Sequence, residues 1–251
     1  KPQTLEMFGT PREDGGFKPF HVYSMRQAID EKFILDVLEN YMTYQTSYAI
    51  AKSTEDNPEI PVTQGVRAIR RFQSLHPHNL RQKTIIMVEQ FRDITRNKIG
   101  GQAKAMLVTS SRLHAVRYYY EFKEYIREQG YDDLDVLVAF TGVVTDDERE
   151  YREATINKTK DGRPIAERQL PEEFDTDDFN MLIVAEKYQT GFNQPKLHTL
   201  FIDKKLKGAK AVQTLSRVNR THPGKNDTFI LDFVNTAEEI QDAFRPYFEK
   251  T

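Results

Sequence analysis

The sequence predicts an α/β fold in which a mostly parallel sheet carries helices on both faces. Three observations support that expectation. Short apolar runs recur at Ala105 to Thr109, Leu134 to Phe140, Met181 to Ala185, Thr199 to Asp203 and Phe229 to Val234. They do not alternate with polar residues, as strands buried on both sides should not. Between most of them lie segments with helix start and stop signals, the spacing that parallel crossovers require.

All 251 residues are read as one domain: a connector over 1–19, a strand with a helical portion over 20–100, and the sheet core over 101–251. The connector is rich in Gly and Pro (Gly9, Pro11, Gly15, Gly16, Pro19). Phe20-His21-Val22-Tyr23 is a short strand candidate. Ser24 can cap a helix to about Tyr41, on which Ile29, Phe33, Ile34, Val37, Leu38 and Tyr41 keep one apolar stripe. Thr43 to Ala51 reads as extended and Asn57-Pro58 to Pro61 as a loop. Thr63 opens a helix through Arg71, and His76-Pro77 precedes another from about Asn79 to Lys98, stopped by Gly100-Gly101. Further on, Ser111 to Gln129 is a helix closed by Gly130. Thr145 can cap a short acidic helix, Thr155 to Leu170 reads as a loop, and Thr236 caps a closing helix.

Composition narrows the function. Apolar residues make up 38% and charged residues 29%, as in a polar globular chain, and no run approaches the ~18 apolar residues of a membrane span. With no cysteine there is no disulfide framework and no thiolate metal site, which fits a reducing cytoplasmic setting. Lys1-Pro2 reads as a mid-protein junction, so the chain is expected to be a fragment. The net charge is −2, yet Lys187 to Lys225 holds nine Lys/Arg against Asp203 alone. Such segregation can make a basic surface, or the same residues can be dispersed over separate loops.

Ligands of parallel sheets gather at the carboxyl ends of the strands. Three turns there have suitable chemistry. Thr109, Ser110, Ser111 and Arg112 put three hydroxyls and a guanidinium at a helix start, suited to a nucleic-acid backbone phosphate or, more plainly, to an N-cap. Lys187, Thr190 and Gly191 follow the third apolar run, where Gly191 lets backbone approach a ligand, or simply makes a tight turn. The third turn, Lys204 to Gly208, leads into a helix carrying Gln213, Arg217 and Arg220. At roughly 100° per residue these three fall within about 60° of one another, opposite Ala211, Leu215 and Val218. Guanidiniums on a rigid element suit phosphate oxygens; the plainer reading is a solvated polar face. These side chains are expected at the edge where the loops converge.

The succession of hydroxyl-rich turn, Thr-Gly turn and Gln-Arg-Arg helix resembles motifs IV, V and VI of the second RecA-like domain of superfamily 2 helicases and translocases. Val184 to Phe192 and Gln213 to Lys225 are most similar to the motor (R) subunit of type I restriction-modification enzymes. Leu5 to Gly9 and Tyr23 to Ile29 look like the segment after motif III. Asn193 stands where that pattern has Asp. Ser216 and Asn219 stand where many helicases have Gly or another small residue, though both look normal for the type I group.

The resemblance implies a RecA-like fold of the P-loop NTPase type and an ATP-dependent double-stranded DNA translocase. Arg217 and Arg220 would then be catalytic arginine fingers, with Gln213, Gly191 and both arginines on ATP. Thr109, Ser110, Ser111, Arg112, Thr190 and Lys187 would lie on DNA. The chain lacks a Walker A loop. ATP and Mg²⁺ are therefore expected mainly on a first RecA-like domain, with modification and specificity subunits as further partners, in a bacterial or archaeal cytoplasm. No metal site and no membrane partner are expected. Two alternatives stand beside this reading: a non-enzymatic DNA-binding or docking module, and an RNA-directed helicase domain.

His76-Pro77-His78 could mimic a metal pair, but a capped loop accounts for it. Of Tyr118, Tyr119 and Tyr120, at least one ring belongs in a core. The adjacent pair Glu186-Lys187 lacks the acid-x-Lys spacing of a nuclease centre.

Overall fold

The computed structural model describes residues 6–7, 9–19, 23–43, 74–188 and 192–248. Within the region read as a connector, β1 (Gly9–Pro11) and β2 (Phe17–Pro19) pair as an antiparallel hairpin. α1 (Met25–Asp30) starts from a capping box, in which Ser24 Oγ accepts from Gln27 N and Gln27 Oε1 accepts from Ser24 N. β3 (Tyr41–Thr43) follows.

After the undescribed stretch, α2 (Pro77–Gln90) starts at His76, whose Nδ1 accepts from His78 N, and runs into a π-helical turn, Phe91–Thr95. β4 (Lys104–Thr109) leads into α3 (Arg112–Gln129), capped by Ser111 and closed by Gly130 at φ +67, a left-handed residue that suits glycine. β5 (Val136–Ala139) precedes a hairpin of β6 (Val143–Asp146) and β7 (Arg149–Arg152), then α4 (Glu153–Ile156) and α5 (Leu170–Asp175). β8 (Met181–Val184), β9 (Leu197–Asp203), α6 (Ala209–Leu215), β10 (Phe229–Asp232) and α7 (Ala237–Phe248) complete the order.

Six strands form one sheet in the order β3–β10–β9–β4–β8–β5, with every neighbouring pair parallel. Alternation along each strand feeds two cores. Ala105, Leu107, Val136, Val138, Met181 and Ile183 pack beneath α2 and α3. Met106, Val108, Leu137, Leu182, Val184 and Ile230 pack on the other face with residues of α5, α6 and α7. Tyr118 and Tyr119 lie in the first core while Tyr120 is exposed. The α/β expectation therefore holds.

Three expected elements differ. The helix from Ser24 stops at Asp30: Lys32 takes φ +61, and Leu35 N donates to Asn219 O instead of continuing a helical ladder. The expected acidic helix at Thr145 is the β6–β7 hairpin, whose turn residues Asp147 and Glu148 have φ +45 and +65, the left-handed pair a tight hairpin needs. The arginine helix ends at Leu215, two residues before its first arginine. Phe20 to Val22, residues 44–51, the Asn57–Pro61 loop and the Thr63–Arg71 helix lie outside the described residues.

Candidate functional site

α6 starts beyond the carboxyl end of β9 and carries the chain back toward the amino end of the sheet. Past Leu215 the ladder tightens, with Arg217 N on Thr214 O and Val218 N on Leu215 O. Arg220 then pairs with Ile34 in an isolated bridge, and Leu35 N takes Asn219 O at 2.8 Å. Gln213 is thus exposed on the helix, while Arg217 and Arg220 sit on the turn after it. Val218 and Leu215 still bury their side chains completely, so the apolar stripe is as expected and only the polar face is not.

Arg217 is 8% exposed and its Nη1 donates to Phe192 O at 2.9 Å. Burial lowers its pKa and the neighbouring Arg220 lowers it further, so two like charges stand close together. Arg220 forms no ion pair among the described residues, and its buried Nη1 meets no hydrogen-bond acceptor there. A buried donor in that condition is costly unless a ligand supplies the acceptor. The expected position at the carboxyl edge is corrected: these guanidiniums lie toward the opposite end, near the segment that enters β9.

The carboxyl edge holds the other candidates, and it divides them. Thr109 is fully buried and its hydroxyl donates to Val184 O at 3.0 Å and Ser111 O at 3.1 Å; it ties β4 to β8 and does not face a ligand. Ser111 Oγ caps α3 through His114 N at 3.3 Å and contacts His114 Nδ1 at 2.8 Å. Lys187 spends its ammonium on Glu153 (2.9 Å to each oxygen) and Glu167 (2.6 Å), so its charge is cancelled before any phosphate could use it. Ser110 and Arg112 remain exposed, with Arg112 Nη1 on Thr141 O. Gln189, Thr190 and Gly191 lie outside the described residues.

Comparison with known proteins adds a set of likenesses. Residues 143–235 match the model described as type I restriction enzyme subunit R domain 3. The HindI type I restriction endonuclease subunit of Haemophilus influenzae is 24% identical over 257 aligned residues, covering 89% of this chain and 24% of its own. A fragment described as an HsdR subunit of a type I restriction enzyme, from Vibrio vulnificus, superposes with TM-score 0.56 at 16% identity, over 96% of this chain and 41% of that one. Over residues 143–235 the chain is thus similar to a domain of type I restriction R subunits. The DNA-bound type ISP restriction-modification enzyme LlaBIII shares the fold at TM-score 0.51 and 14% identity, over 90% of this chain and 15% of that one. The chain spans about a quarter of the length of the curated relatives it matches.

The basic window between Lys187 and Lys225 proves dispersed. Lys187, Lys196 and Lys205 pair with Glu153, Asp175 and Glu239, and Lys225 is buried. What survives is local. Register pairs Thr109 with Asp203, so Ser110 and Lys204 leave adjacent strand ends together. Lys207 and Lys210 are exposed close by, without ion pairs among the described residues. Sequence reasoning quoted Lys204 and Lys207 only as a lead-in to the helix. It also gave no role to Lys225, whose one signal was its place after Pro223-Gly224. Just ahead of Gln189, Glu186 and Tyr188 both take left-handed φ, +61 and +59, the kind of backbone strain that collects at working loops.

Proposed function

We propose that this chain is the second motor domain of an ATP-dependent double-stranded DNA translocase within a longer type I restriction R subunit. The observation that supports it best is the arginine turn: two guanidiniums side by side, one with a buried N–H that no described acceptor reaches. A phosphate fits that demand, because it offers charge and several acceptor oxygens at once. ATP would lie between this turn and a first RecA-like domain, with Arg217 and Arg220 as catalytic groups on its terminal phosphate and Gln213 at the cleft. No cluster of three carboxylate or imidazole groups suited to a metal is found among the described residues. Mg²⁺ is assigned to the first domain together with most of the nucleotide.

DNA is assigned to the carboxyl edge, on Ser110 and Arg112, joined by Lys204, Lys207 and Lys210; Thr190 and Gly191 keep the ligand role expected from the sequence. Such contacts go to the backbone, so binding would be indifferent to sequence and would weaken steeply with salt. Cleft closure at one end of the sheet and grip at the other would be coupled through the rigid sheet between them. Target choice would fall to modification and specificity subunits. The described residues include no helix long and apolar enough to cross a membrane, and a bacterial or archaeal cytoplasm is the setting proposed.

The test is Arg217→Ala and Arg220→Ala in the full-length subunit. Each is expected to cut DNA-stimulated ATP hydrolysis by about 10³-fold or more, the scale of an arginine finger, with thermal midpoint and duplex binding retained. Variants that keep hydrolysis but lose DNA or partner binding would support the docking-module reading instead. Duplex DNA, single strands and RNA compared as stimulants separate a DNA translocase from an RNA-directed helicase.

A further inference from the structure

Lys225 is 5% exposed, and its ammonium lies among four backbone carbonyls: Leu197 O and Val218 O at 2.7 Å, Arg220 O at 2.9 Å and Pro195 O at 3.2 Å. Two of these belong to the segment entering β9 and two to the arginine turn. The lysine arrives through a tight turn in which Lys225 N donates to His222 O at 2.9 Å, with Pro223 second and Gly224 third at φ +78. That is the type II pattern, where the third position calls for glycine.

The backbone of the arginine turn is consequently tied at three successive carbonyls. Val218 O and Arg220 O go to Lys225, and Asn219 O goes to Leu35 N. Arg217 Nη1 reaches the same segment ahead of β9, through Phe192 O. A compact ammonium can gather acceptors from several directions, which a planar guanidinium cannot.

We infer that Lys225 is a positioning residue: by clamping the carbonyls of Val218 and Arg220 to the entry of β9, it sets the direction in which the arginine pair is presented. This rests on the reading of that pair as nucleotide-facing. Burial lowers the Lys225 amine to about 7, with Arg220 adding to the effect and Asp227 opposing it.

The test compares Arg220→Ala, Lys225→Met and the double variant in the full-length subunit. It measures kcat and KM for ATP under DNA stimulation, with thermal midpoint and duplex affinity alongside. Lys225→Met is expected to lower kcat about 10- to 100-fold and to leave KM and DNA affinity within about threefold. The double variant should be no slower than Arg220→Ala alone, because a residue acting through the arginine has nothing further to lose. If Lys225→Met does not fold, Lys225→Arg carries the same expectation. Unchanged kcat in a folded variant, or multiplied effects in the double variant, overturns the inference. So does loss of fold in both lysine variants, since the lysine would then hold the whole domain rather than the turn. If Arg220→Ala alone leaves hydrolysis intact, the nucleotide reading has failed and the inference falls with it. A slow Arg220→Ala beside a wild-type Lys225→Met removes the inference alone.

Discussion

The two ends of the sheet use buried lysines differently. At the carboxyl end, Lys83 reaches Asp203 at 2.6 Å, with Tyr118 OH on the other oxygen at 2.7 Å, and Lys187 reaches Glu153. Carboxylates cancel those charges. At the amino end, Lys104 donates to Thr176 O and Phe179 O, and Lys225 to its four carbonyls. Carbonyls satisfy the donors without a carboxylate in direct contact, and burial lowers these two amines to about 8 and about 7. The first end is electrically settled around its buried lysines, while the second sets Lys225 near the neighbouring guanidiniums of Arg217 and Arg220. An end held in that state is suited to receive an anion.

The largest expected effect breaks the settled end. Asp203→Ala strands Lys83 in the core, where the Phe233 ring lies 5.5 Å away, and deprives Tyr118 of its acceptor. A loss of about 3–5 kcal/mol is expected from urea unfolding, the scale of a buried pair broken on one side.

A smaller effect concerns acid. His198 is 1% exposed, with Nδ1 at 2.9 Å from Thr199 Oγ1 and Nε2 at 3.0 Å from Asp227 Oδ1, while Lys98 takes Asp227 Oδ2. Burial lowers its pKa below 6.5, Asp227 opposing and Lys98 and Lys225 adding to the shift. The folded state therefore binds fewer protons than the unfolded chain. The stabilisation is complete above pH 6.5 and is lost as pH falls through the lowered value. His198→Gln should flatten that part of the stability–pH curve below about pH 6.5, and an unchanged slope would exclude His198 as its source.

The smallest effect has the opposite sign. Arg220→Met removes one of two neighbouring like charges together with a buried N–H lacking an acceptor. It should stabilise the chain by about 0.5–1 kcal/mol, a trade common where function holds a residue in a poor environment. Destabilisation would mean that Arg220 serves the fold.

Much of the fold was legible because local and long-range signals agree. β4 and α3 join an apolar run to a Ser cap and a Gly stop, and nothing distant competes. The end of α6 was not legible, since Leu35 and Lys225 take its carbonyls and neither can be placed by helical periodicity. Thr109 and Ser111 looked like ligand groups but serve strand pairing and capping, a choice made by burial rather than residue type. Lys187 read as a free cation because Glu153 lies 34 residues earlier in the chain. The arginine pair itself was legible as a pattern, and its place in the fold was not.

One edge of the sheet has a further consequence. The outward backbone groups of β5 are taken by side chains: Asp135 Oδ1 accepts from Val136 N, and Glu153 Oε2 accepts from Phe140 N. Asn157 both accepts from Val138 N and donates to Val138 O. The Asn157 amide there imitates the peptide unit of a seventh strand. A border finished in this way offers no template for a stray extended segment, so crowded copies of the molecule cannot zip together along it.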